Sequence, residues 1–201
     1  MLKKFKPALV LSLAVMLACV MSTPMIASAA AKAVKVKATR TSGSTEQMTV
    51  KGLTKSNNVV WKYTTKKYSA VELNRTKCKV HGTKVYIFDG SSLRIVKKAT
   101  GAKVSVTKDI TSAGHIVGFD ASGNIYVTGY YDTVLYKIAP KGGMLWKSDY
   151  SSTGNYWAKK ITATATTVTV TCDASDSNPG TSGNYKVVFS ADTGIIQLYN
   201  L

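Results

Sequence analysis

The chain has 201 residues, 45% of them hydrophobic, and a formal net charge of +17, so it can bury one real core and its field favours anionic partners. Three cysteines without a C-x-x-C, and two histidines standing alone at 81 and 115, exclude a zinc site of the usual spacings.

The amino-terminal segment reads as an export signal. Lys3, Lys4 and Lys6 precede an apolar run from Ala8 to Met21, and small residues lead to Ala27-Ser28-Ala29. That is the layout of a secretory signal peptide over residues 1–29, with an apolar run too short for a stable membrane span. Met16-Leu17-Ala18-Cys19 is an imperfect lipobox. The mature protein is expected to begin near Ala30, without a transmembrane segment, as one domain over residues 30–201. Of the cysteines that remain, Cys172 continues the Val168, Val170 alternation of a buried strand. Cys78 lies between Lys77 and Lys79, two basic neighbours that could lower its pKa. Two separate thiols are expected rather than one disulfide.

Past Ala31 no stretch keeps apolar residues at helical spacing over three turns, and short runs rich in Val, Ile, Thr and Tyr alternate with Gly, Asn, Asp and Ser. The expectation is an all-β protein. The runs repeat. "KVYIF" with "LRIVK", "NIYVT" with "VLYKI" and "TVTVT" with "YKVVF" each form a strand pair, and "KAVKV" with "QMTVK" supplies a first one. After each pair a turn residue precedes a marker by four positions: Asn57 before Trp61, Gly101 before Ser105, Gly142 before Trp146 and Gly194 before Leu198. Gly and Asn are the residues that best tolerate a left-handed turn position. The markers are 44, 41 and 52 residues apart, and the long last interval contains the turn-rich "DASDSNPGTSG".

A period of this length with several strands per unit predicts a propeller-like array of three to four short antiparallel blades, with units ending near 61, 105, 146 and 198. In "KVYIF", Val85 and Ile87 share one face while Tyr86 and Phe88 share the other. Both faces are apolar, as when sheets stack face to face. Trp61 and Trp146 are then expected to pack against the neighbouring blade, with Gly101, Gly142 and Gly194 making the turns. The first unit is short of an inner strand.

"TGAKVS", "GGMLWK" and "DTGIIQL", each after such a strand pair, resemble quinoprotein-type (PQQ-like) propeller repeats, and "DASGNIYVTG" is similar to the turn-strand of SBBP-type bacterial repeats. Two units depart from the pattern by lacking the tryptophan, at Ser105 and Leu198. The resemblance implies a β-propeller fold. Quinone-dependent members use about eight blades, so the quinone cofactor is not carried over and no cofactor is expected. The non-enzymatic members are interaction scaffolds.

No G-x-S-x-G, H-E-x-x-H or phosphate loop is present. Asp120 with Ser122 and Asn124, and Asp173 with Ser175 and Ser177, look like fragments of a calcium loop, but turn chemistry accounts for both, so no metal is expected. Charge is the informative feature. Residues 31–108 hold 18 Lys and Arg against Glu46, Glu72 and Asp89, whereas residues 109–201 hold six lysines against seven aspartates. The expected contacts to an anionic polymer are Lys62, Lys66, Lys67, Lys77, Lys79, Lys97 and Lys98, with Tyr63 and Tyr68 placed to stack on rings. Lys77 and Lys79 should share a face, as should Lys62 and Lys66 if their strand runs on, and the repeat should merge these charges into one surface.

The sequence therefore predicts a secreted or cell-envelope, non-catalytic binding module for an anionic envelope polymer or a protein partner. Nucleic acid stands behind these, and a homo-oligomer would cover a free sheet edge. The alternative is a glycan-directed hydrolase at the propeller mouth, drawing a carboxylate pair from Asp89, Asp120, Asp132 and Asp173.

Overall fold

Seventeen strands account for the regular structure of the computed structural model, which describes residues 30–41, 44–69, 75–110, 115–130, 132–151, 156–174 and 184–200. The expected signal peptide over residues 1–29 lies outside the described residues. The first sheet holds β1 (Lys35–Arg40), β3 (Met48–Leu53) and β4 (Val59–Thr64), and β2 (Thr45–Glu46) pairs with β5 (Tyr68–Ser69) as a short ribbon. Three four-stranded antiparallel sheets follow. They are β6 (Thr76–His81), β7 (Lys84–Asp89), β8 (Ser92–Lys97), β9 (Lys103–Thr107); β10 (Ile116–Phe119), β11 (Ile125–Thr128), β12 (Val134–Ile138), β13 (Met144–Asp149); and β14 (Tyr156–Ala163), β15 (Thr167–Ala174), β16 (Asn184–Ser190), β17 (Ile196–Asn200). Each sheet is a meander in chain order, which makes four consecutive units, the first with three strands among the described residues where the others have four.

The turn residues do what their chemistry suggests. Asn57, Gly101, Gly142 and Gly194 all have positive φ, between 67° and 88°, and each opens the last strand of its unit. The register then slips in every unit, between Gly52 and Leu53, Ile95 and Val96, Lys137 and Ile138, and Val188 and Phe189. A left-handed residue followed by a register shift is a bulge device that bends the strand and increases its twist. Four copies of it make the repeat structural as well as textual.

The core lies between units. Met48 and Val50 of unit 1 pack with Val85, Ile87 and Val96 of unit 2. Tyr86, Phe88 and Ile95 of unit 2 pack with Ile125, Val127 and Ile138 of unit 3. Tyr126 and Leu135 of unit 3 pack with Val168, Val170 and Val187 of unit 4. Each middle sheet thus uses both faces, because side chains alternate along a strand and both sets are apolar. Among the described residues no buried cluster joins unit 1 to unit 4. The first strands converge: Gly118 of β10 lies so near Ile161 of β14 that an added Cβ would come within 2.6 Å of its Cγ2.

The two cysteines sit in different clusters, Cys78 between units 1 and 2 and Cys172 between units 3 and 4, and both are free thiols. The expectation that Lys77 and Lys79 would lower the Cys78 pKa is corrected. Adjacent residues on a strand point to opposite faces, so the thiol faces the core while the two ammonium groups do not. Burial pushes the Cys78 thiol up to about 11 and the Cys172 thiol up to about 12.

Candidate basic binding surface

The marker positions seal the junctions between units. At the first junction the Trp61 indole lies over Gly101, where a Cβ would stand 2.5 Å from the ring, and its Nε1–H donates to Lys98 O at 2.8 Å. Gly52, opposite Trp61 on β3, gives the ring a second flat wall. At the third junction Trp146 lies over Gly194 and donates to Ala191 O at 3.2 Å, a carbonyl that also accepts from Lys137 Nζ at 2.6 Å. At the middle junction Ser105 takes the tryptophan's place, its side chain close against Gly142, and Lys84 Nζ donates to Pro140 O at 2.6 Å. Gly52 was not singled out in the sequence, although an isolated glycine inside "TVKGL" is the usual sign of a close approach.

The seven lysines expected to bind an anion do not form one surface. Lys62 is on β4, which stops at Thr64, so Lys66 and Lys67 belong to the following loop and share no strand face with it. Lys77 and Lys79 do share a face of β6, but Lys77 is half-buried and its Nζ caps His115 O of unit 3. Burial, then the Lys79 and Arg40 charges, hold the Lys77 ammonium below the ordinary lysine value. Lys97 closes β8 and Lys98 begins the turn before β9, at the opposite end of the sheet.

The aromatic expectation is corrected too. Tyr63 and Tyr68 donate to the Asp89 carboxylate at 2.8 and 2.7 Å, and Arg94 and Arg75 lie over their rings at 4.7 and 5.6 Å from the centroids. These tyrosines bind unit 1 to unit 2 and are engaged on both sides. Desolvation, then the Asp89 hydrogen bond and charge, raises both phenols.

What the lysines do form is a row. Lys37 pairs with Lys51 and Lys51 with Lys62 across β1, β3 and β4, on the face turned away from unit 2. Residues directly opposite in a sheet are roughly 5 Å apart, and like charges there are destabilising. The adjacent row on that face is Thr39, Thr49 and Thr64, with the Thr49 and Thr64 hydroxyls 3.3 Å apart. A polar end face would be satisfied by a second threonine row, so the lysines bring a charge that capping does not require. None of the three is ion-paired among the described residues, where Arg40–Glu46 and Lys159–Asp173 are the ion pairs. Lys37 and Lys51 escaped the sequence reading because their alignment depends on pairing register.

The carboxylates considered for a hydrolase are each engaged by neighbouring groups, Asp120 and Asp132 in connections, Asp89 at the end of β7 and Asp173 within β15, where the sequence suggests a turn. Asp89 accepts from both tyrosines and from Lys66 N. Asp120 accepts from Asn124 N, Asn124 Nδ2 and Tyr126 OH. Burial works to raise the Asp120 carboxyl, but these hydrogen bonds and the Lys137 charge together hold it below the ordinary value. Asp132 accepts from Val134 N, and Asp173 pairs with Lys159. Of the two histidines, His81 is exposed at the end of β6 and stacks on Phe119 at 4.2 Å, whereas His115 is buried and lies 3.1 Å from Gly90 O. No cluster of three metal-ligating side chains occurs among the described residues.

The chain matches no protein-family model and no curated protein. Among solved structures it is similar in fold to BamB from Moraxella catarrhalis, with a TM-score of 0.52 and 19% identity over 80% of this chain and 50% of that one. The chain spans about half the length of that neighbour. The likeness and the four stacked meanders define a propeller-like all-β repeat array.

Proposed function

We propose that this chain is a non-catalytic binding module of the bacterial cell envelope, built from quinoprotein-type or SBBP-like repeats, that holds an anionic polymer on the open face of its first unit. The observation that carries this is the Lys37–Lys51–Lys62 row, three lysines aligned across three strands with no ion pair among the described residues. A linear polyphosphodiester or polycarboxylate supplies charges at regular intervals and relieves the repulsion along the row. Exposed Lys66 and Lys67 in the loop after β4 extend the field, whereas Lys79 lies on the face of β6 turned towards unit 3 and takes no part. Lys77 takes the structural role described above. The basic segment, apolar run and A-x-A pattern before Ala30 support export with cleavage at Ala29, which N-terminal sequencing of the exported form checks.

The test is titration of wild type and of the Lys37→Glu, Lys51→Glu, Lys62→Glu triple variant against teichoic acid, an anionic glycan and single-stranded DNA at two salt concentrations. Wild-type binding should weaken steeply with salt, and the variant should lose affinity together with about three counterions' worth of salt slope. Equal binding by the variant, or no binding by wild type at low salt, refutes the reading.

A further inference from the structure

We infer that a second site, a groove beside the middle junction, takes an acidic peptide segment of a partner protein, one that alternates carboxylate and apolar side chains. The groove encloses about 720 Å³ and is lined by Ala33, Val34, Ala99 and Val104 with Lys84, Lys97, Lys98 and Lys141 around it. Its position follows from the repeat. Val104 and Lys141 are the chain neighbours of Ser105 and Gly142, so the groove adjoins the junction where a serine stands in place of the tryptophan. Its frame is built by main-chain bonds, Ala33 N to Ala99 O and Lys98 N to Thr83 O, both 2.8 Å.

The charge complementarity selects the occupant. Lys97 closes β8 and Lys98 begins the following turn in unit 2, while Lys141 comes from the turn of unit 3, so two units supply cations to a groove that also has an apolar lining. Lys84 holds Pro140 O, and none of the four is ion-paired among the described residues. A lipid headgroup needs its cations gathered at one end of an enclosed tail pocket. A pure polyanion has no use for a floor that includes Val34, 51% exposed. An extended peptide with alternating acidic and apolar residues uses both, because its side chains alternate in direction. This site uses Lys97 and Lys98, which the sequence assigned to the polymer, and it stands whether or not the lysine row binds one.

The experiment uses a labelled Glu-Leu-Glu-Val-Glu peptide, a hexaglutamate control and phosphatidylglycerol vesicles, with the full mature chain. The Glu/Leu/Val peptide should bind at least about tenfold tighter than hexaglutamate. The Lys97→Glu, Lys141→Glu variant and the Ala99→Trp variant, which fills the floor without changing charge, should each lose about tenfold or more. The Lys37, Lys51, Lys62 triple variant should bind the peptide as wild type does. Equal binding of hexaglutamate, or an Ala99→Trp variant of unchanged melting temperature and unchanged affinity, overturns the proposal. Vesicle binding that Ala99→Trp abolishes while the peptide fails to bind also overturns it, in favour of a lipid.

Discussion

The first and middle junctions use the same glycine turn and differ in the side chain laid across it. Between units 1 and 2 the Trp61 indole spans the gap over Gly101 and finishes on a carbonyl of the next turn. Between units 2 and 3 Ser105 is too short to span anything, so the turn at Gly142 comes down on the strand itself, with an added Cβ only 2.2 Å from Ser105 Oγ. Its carbonyl, Pro140 O, is reached instead by Lys84 of β7, two strands away on the same face. The serine hydroxyl is buried with no hydrogen-bond partner. A repeat thus tolerates loss of its signature residue when the backbone closes in and another side chain takes over the hydrogen bond.

The widest contrast comes from removing the indoles. Trp146→Ala and Trp61→Ala should each destabilise the fold by ~3–5 kcal/mol, because each leaves a cavity between two units and an acceptor without its donor. Chemical denaturation measures this, and midpoints within error of wild type would show that the rings seal nothing.

Gly101→Ala should cost less, about 1–3 kcal/mol, from positive φ and from the Cβ pressed on the indole. The comparison sharpens in the double variant. In a Trp61→Ala background the steric part should vanish and leave the backbone part, a coupling that a double-mutant cycle reads directly. At the middle junction Gly142→Ala should stay costly with Ser105→Ala, because the Cβ would still lie 2.5 Å from the Cβ at position 105.

Alkaline pH tests the outer junctions through their thiols. Both thiols titrate higher in the folded state than their ordinary value of 9.0, so folding favours the protonated form. Their contribution is constant below about pH 9 and is lost as pH rises towards 11 for Cys78 and 12 for Cys172. The buried Tyr126 and Tyr150 phenols, also raised, act in the same direction. The melting temperature should fall over this window, and Cys172→Ala should flatten the slope.

The smallest effect has the opposite sign. Ser105→Ala removes a hydroxyl that is buried without a partner, so stability should hold or rise by up to ~1 kcal/mol. A clear loss in thermal melts would mean that the hydroxyl bonds to something in solution.

The sequence by itself determined the repeat and its punctuation. A left-handed turn needs Gly or Asn whatever surrounds it, and a strand buried on both faces must be apolar at every position, so Asn57, Gly101, Val85 and Tyr86 announce their roles locally. The same locality showed unit 1 one strand short, as it is among the described residues. Only the tertiary structure decided what the charges do. Register aligned Lys37 with Lys51 and Lys62, the next unit's carbonyl captured Lys77, and Asp89, 26 residues from Tyr63, drew both tyrosines inward. A cation's role depends on which strand lies opposite and which unit lies beyond, and neither is set by the residues beside it in the chain.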